Sequence, residues 1–180
     1  TNRVEYNEPM VLIMKGAFDP QAFRAAFEAV IDRHEVLRCA YLINSKGQAF
    51  LKAHPPGSVK IPFRIIEVPG VSDAVLKDTI GLGKVLEPRL KEEALQAFDF
   101  AKVPMGRLLI IKLRPDMQVV MWTLHHAVVD GWSGGVLLRE LSELYNAAKQ
   151  NRTPKLQPLP IQYADYAAWE ASSGIIQEQE

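Results

Sequence analysis

The chain is predicted to be α+β, with helices packed on a mixed or mostly antiparallel sheet. Two observations lead there. Short runs rich in Val, Ile, Leu and Met, above all "RLLIIKLRP" and "QVVMWTLHH", are strand-like and joined by the tight "PDM" turn. Between such runs lie segments with apolar residues at helical spacing, notably "DPQAFRAAFEAVIDRHEVLR" and "GGVLLRELSELYNAAKQ". Strands alternating with long helices, with strand-to-strand hairpins among them, fit layered α+β packing.

Each element follows from local chemistry. "EPMVLIMKG" reads as a buried strand ending at Gly16. Asp19 then stands at an N-cap with Pro20 at the first helical position, and Phe23, Ala26, Phe27, Val30 and Ile31 make one apolar face. "LRCAYLIN" and "QAFLKAH" predict a hairpin turning at "SKG", and "FRIIEV" a further strand after "PPGSVKIP". Ser72 caps a helical stretch that Gly81, Gly83 and Pro88 should interrupt, which predicts either two helices or one helix and a long loop before "KEEALQAF". The strand pair follows, then a helix for which Ser133 is the expected N-cap. After the polar linker "QNRTPKLQPLP", "IQYADYAAWEASS" reads as a last helix.

Composition bounds the function classes. The 180 residues suffice for one domain with a real core, and 48% hydrophobic with 23% charged is an ordinary globular balance. Twenty-one basic residues against twenty-one acidic ones leave no net charge, so no broad footprint for nucleic acid or anionic lipid is expected. The single cysteine, Cys39, cannot form an internal disulfide and fits a reducing compartment. No apolar run approaches the roughly 20 residues of a membrane helix, and "TNRVEYNEPM" lacks the layout of a signal peptide. The expectation is a cytoplasmic protein that contacts neither membrane nor nucleic acid.

The stretch "WTLHHAVVDGWSGG", Trp122 to Gly135, carries the chemistry. His125 and His126 fall at the carboxyl end of a strand, and neighbouring strand residues point to opposite faces, so only one of them can look into a given cleft. On spacing alone, a strand-end histidine is more often a hydrogen-bonded structural residue than a base, and Asp130-Gly131 more often turn chemistry than a site. A metal site is not expected, because His-His-x3-Asp offers at most three ligands and no second cluster completes them. Trp122 and Trp132 read as packing residues, and Tyr163, Tyr166 and Trp169 as a helix face. His34 reads as a satisfied residue at a helix end, and Cys39 as a small buried hydrophobe. His54 has no assigned role.

"HHAVVDG" resembles the HHxxxDG signature of the condensation domains of nonribosomal peptide synthetases. "RHEVLR", Arg33 to Arg38, is similar to that family's RHExLR motif. "LPIQYADYAAWE", Leu159 to Glu170, resembles the LPxQYxDYAxW segment that follows the catalytic motif. "QAFDFAKVPMGRLLIIKL" is similar to the stretch leading into the catalytic hairpin. These motifs occur in the family's order across most of the chain.

The resemblance implies a chloramphenicol-acetyltransferase-like fold of two lobes, of which residues 1–180 cover the N-terminal one, without the family's opening motif or its C-terminal lobe. It implies peptide-bond formation between a donor thioester and an acceptor amine, both carried on the 4'-phosphopantetheine arms of carrier-protein domains. No cofactor bound by the domain itself is expected. Partners would be donor and acceptor carriers, the C-terminal lobe and an adjacent adenylation domain. By analogy His126 faces the tunnel and handles the amine, and His125 supports the motif. Asp130 pairs with an arginine, Arg38 by preference and Arg33 second, while Gly131 permits a tight turn and offers an N–H to an oxyanion. Rival readings are a noncatalytic carrier-docking or gatekeeping module, an epimerisation domain or a coenzyme A HxxxD acyltransferase. Epimerisation domains typically continue V-S-W where this chain has "DGWSGG"; the acyltransferases carry a DFGWG-like motif that would fall in the C-terminal half, and against them "RHEVLR" speaks for condensation.

Overall fold

The computed structural model describes residues 4–173. In chain order the regular elements are β1 (Asn7–Lys15), α1 (Pro20–Arg33), β2 (Cys39–Ile43), β3 (Ala49–Ala53), β4 (Phe63–Glu67) and α2 (Asp73–Lys77). There follow α3 (Thr79–Ala94), β5 (Gly106–Arg114), β6 (Met117–His125), α4 (Gly131–Lys149) and α5 (Tyr163–Ser172). A 3-10 turn, Glu35–Arg38, links α1 to β2.

Four strands form one mixed sheet in the order β1-β6-β5-β4, with β1/β6 and β6/β5 antiparallel and β4/β5 parallel. The hairpin β2-β3 is a separate two-stranded sheet. This is the α+β arrangement expected, and the helices cover both faces of the central strands. Alternation along β5 and β6 sorts the core. Leu108, Ile110, Val120, Trp122 and Leu124 meet Phe27, Val30 and Ile31 of α1 and Leu137 and Leu141 of α4. Leu109, Ile111, Val119 and Met121 turn the other way, toward Leu82 and Leu86 of α3. All nine residues of β6 are buried, as expected of a strand covered on both sides.

The helix starts show where sequence rules hold and where they are overruled. Asp19 caps α1 by accepting from the Gln21 and Ala22 amides, with Pro20 at the first position. Ser72 caps α2. Of the two alternatives for the next stretch, the chain forms two helices, but the break falls at Asp78, which caps α3, and α3 runs through Gly81, Gly83 and Pro88. Two glycines at about 1 kcal/mol each and a proline at about 3 oppose that helix. Burial of Leu82 and Leu86, worth about 1.5–3 kcal/mol apiece, offsets most of this, and the cap supplies more. The end of α3 is also tied down, since Asn7 Nδ2 donates to the Ala94 and Gln96 carbonyls and Arg107 to those of Glu93 and Gln96. Helix α4 begins at Gly131 with Asp130 as its cap, so Ser133 is not the N-cap; it stands three residues later as the return half of a capping box.

Candidate active site

Strand register places the site. Asn7 lies opposite His125 and Glu8 opposite Leu124, and residues paired across strands share a face. Met10, Trp122 and Leu124 therefore face α1 and α4. His126 lies two residues beyond Leu124, a diagonal neighbour of Glu8 on that same side. Its amide donates to the Tyr6 carbonyl at 2.8 Å, so the β1/β6 ladder runs one step past the strand.

The two histidines separate as alternation requires. His125 is 6% exposed, edge-on to Phe98 and Phe100, with the Phe100 ring centroid at 4.8 Å. Its Nδ1 accepts from the Ala127 amide at 3.0 Å, and its Nε2 is buried without a polar partner. With Nδ1 accepting, the neutral ring carries its proton on Nε2, among aromatic rings. Burial, and then the proximity of His126, push the His125 imidazole below its ordinary range, so it stays neutral. The turn is pinned twice more: the Val128 amide donates to the His125 carbonyl, and the Tyr41 hydroxyl of β2 donates to the Ala127 carbonyl at 2.6 Å. Burial raises the Tyr41 phenol, which keeps it protonated as a donor. His126, by contrast, has its side chain 48% exposed, with Nε2 3.8 Å from Glu8 Oε1.

Asp130 departs from expectation. It makes no ion pair with Arg38 or Arg33. Its carboxylate is exposed and accepts from the Ser133 amide at 2.8 Å and hydroxyl at 2.6 Å. Those bonds hold its carboxyl below the usual carboxylate range. An exposed carboxylate satisfied by a cap and water needs no buried cation, which removes the reason for the pair. Both arginines are committed elsewhere: Arg38 donates to the His54 carbonyl and lies 3.6 Å from Glu35, clasping the β2-β3 hairpin. Arg33 reaches the buried Glu140 of α4 at 3.1 Å and the Gln157 carbonyl at 2.6 Å. His34 completes that α1–α4 joint with Nε2 2.6 Å from Glu140, as a satisfied helix-end residue.

A cleft of about 110 Å³ opens between β1 and the head of α4, lined by Glu8, Met10, Leu124, Asp130, Gly131 and Gly134 among others; His126 is not one of its lining residues and meets it only through Glu8. Gly131 opens α4 without a positive φ, and a Cβ there would meet no atom within 4 Å, so the turn itself does not demand glycine. Gly131 is exposed and lies on the cleft rim. A Cβ at Gly134 would come within 3.3 Å of Met10 Cε.

The remaining candidates divide. Trp122 is core, but Trp132 is 85% exposed at the start of α4, not a packing residue, because no described element lies over it. Tyr163, Tyr166 and Trp169 form an exposed face of α5, their rings in tilted contact. Cys39 is buried and its thiol is pushed up by that burial, the state of an inert hydrophobe. Among the described residues no three His, Cys, Asp or Glu side chains cluster as metal ligands, and no helix is long and apolar enough to cross a membrane. Two site residues escaped the sequence reading. Glu8 carried a usable signal, since pairing the two flanking strands sets it diagonal to His126. Tyr41 carried none, because its reach to Ala127 depends on how the separate hairpin docks.

Comparisons with known proteins identify the family. The family described as Condensation domain matches residues 1–180. The chain is 35% identical over 165 residues to malpinin synthetase of Mortierella alpina, covering 92% of this chain and 2% of that protein. It is 36% identical over 180 residues to a linear gramicidin synthase of Brevibacillus parabrevis, covering 97% of this chain and again 2% of the relative. Among solved structures it is similar to the X-domain from teicoplanin biosynthesis, with a TM-score of 0.76 at 27% identity, over 97% of this chain and 36% of that one. The chain thus spans a small fraction of the synthetases it matches and about a third of a solved relative.

Proposed function

The chain belongs to the condensation-domain family, and from that premise we propose that it is the N-terminal lobe of a domain that forms peptide bonds within a nonribosomal peptide synthetase. In this reading residues 1–180 supply one wall of a tunnel, and a C-terminal lobe supplies the other. Donor and acceptor arrive on phosphopantetheine arms of carrier proteins, with an adenylation domain nearby, and the domain needs no cofactor of its own. The observation that supports this best is the division of labour at the turn: His125 is locked inside while His126 stands half-exposed beside Glu8.

The reaction balances simply. The acceptor nitrogen attacks the donor thioester carbonyl, a C–N bond forms, the C–S bond breaks, and the amine's proton ends on the released thiol. An α-amine with a pKa near 8 is already about one-tenth neutral at pH 7, so its first deprotonation is a small barrier. His126 acts on what remains, by orienting the nitrogen and accepting its proton as the charged tetrahedral intermediate forms. The Gly131 amide, at the head of α4 and on the cleft rim, is the candidate donor to the oxyanion. Asp130 serves by starting α4 in the right place, and His125 by shaping the turn that aims its neighbour.

The test uses the parent synthetase with donor and acceptor carriers charged and verified by mass spectrometry. Amide product, absent when either carrier is left uncharged, is the expected result. No product from verified carriers, with carrier binding retained, contradicts the proposal and favours a docking module.

A further inference from the structure

We infer that Glu8 recognises the positively charged amine of the acceptor and delivers it to His126. The inference rests on the condensation reading and adds to it a residue outside the HHxxxDG, RHExLR and LPxQYxDYAxW stretches.

Three observations carry it. Register fixes Glu8 opposite Leu124, on the face from which His126 emerges, so the two side chains are diagonal neighbours within reach of each other across the strand pair. Their facing atoms, Glu8 Oε1 and His126 Nε2, stand 3.8 Å apart, beyond hydrogen-bond range, and both side chains are about half-exposed, 52% and 48%. A single ammonium nitrogen can sit about 2.8 Å from both such atoms at once. The third observation is the state of the cleft's other carboxylate. Asp130 is taken up by the Ser133 amide and hydroxyl, whereas among the described residues Glu8 meets only His126. The charged groups around His126 are thus Glu8 from β1 and Asp130 from the turn, with the titratable but neutral His125 behind it.

The chemistry suits the acceptor. At neutral pH the nucleophile arrives mostly as an ammonium ion, and a carboxylate at the cleft mouth binds that form while the imidazole beside it takes up the proton. The donor thioester carries no charge at its reacting carbon and gains nothing from Glu8.

The experiment measures equilibrium binding of L-alanyl pantetheine amide to the parent synthetase by calorimetry, with no donor present. The L-lactyl counterpart, which carries a hydroxyl in place of the ammonium, is measured beside it. The native protein should prefer the amine, and Glu8→Gln should lower affinity for the amine about tenfold, the scale of one charged hydrogen bond, while leaving the hydroxyl compound unchanged. Glu8→Asp should retain most of the preference. A thermal midpoint equal to that of the native chain certifies folding of each variant. No preference in the native protein, or a preference that survives in Glu8→Gln, overturns the inference. Turnover with charged carriers, measured separately, reports whether the condensation reading itself fails.

Discussion

At the scale of single residues, adjacent histidines in one sequence motif have opposite environments. His125 is buried and held neutral, its imidazole below the ordinary value of 6.5. Protonation is penalised in the folded chain and not in the unfolded one, so the unfolded state binds more protons as the pH falls. The stability this residue contributes is complete above about pH 6.5 and is lost as pH drops through its lowered folded value. Urea unfolding between about pH 7 and pH 5 should show that slope, and it should be shallower in His125→Asn, whose side-chain oxygen can still accept from the Ala127 amide. Asp130 gives a second residue-level test. As a helix cap it should tolerate Asp130→Asn and lose thermal stability in Asp130→Ala. Because Arg38 is engaged with His54 and Glu35, the effects of Asp130→Ala and Arg38→Gln should add in a double-mutant cycle; a strong coupling between them would restore the ion pair that the structure lacks.

At the scale of elements, the main strands and helices were readable, because the continuous apolar runs of β5 and β6 and the apolar faces of α1 and α4 are local properties of the chain. Elements whose form depends on distant partners were less readable. Helix α3 carries Gly81, Gly83 and Pro88 and is held by burial of Leu82 and Leu86, which no local rule reports. Its two glycines should respond differently to substitution. Gly83 has open space where a Cβ would go, so Gly83→Ala should stabilise the chain by about 1 kcal/mol in urea unfolding. A Cβ at Gly81 would lie 2.7 Å from Asp78 Oδ2, displacing the cap, so Gly81→Ala should gain nothing or destabilise. The candidate site was readable for the same mixture of reasons. Alternation separated His125 from His126, but the Asp130 pairing failed because it assumed burial that the exposed turn does not impose, and Trp132 turned outward because it lies on the outer side of α4.

At the scale of the molecule, a sheet covered on both faces delivers one strand end, with His126, to the surface, while the β2-β3 hairpin reaches over through Tyr41 to hold the turn. The His126 side chain is 48% exposed and lies outside the core, so its removal should affect the reaction and not the fold. The direct measurement is the single-turnover rate of peptide-bond formation in the parent synthetase with charged carriers, for native protein and for His126→Ala with an unchanged thermal midpoint. The proposed function predicts a loss of about 10² to 10⁴ in that rate, the contribution of a positioned acid–base group. A His126→Ala rate within about threefold of native would contradict it, leaving the site without its base.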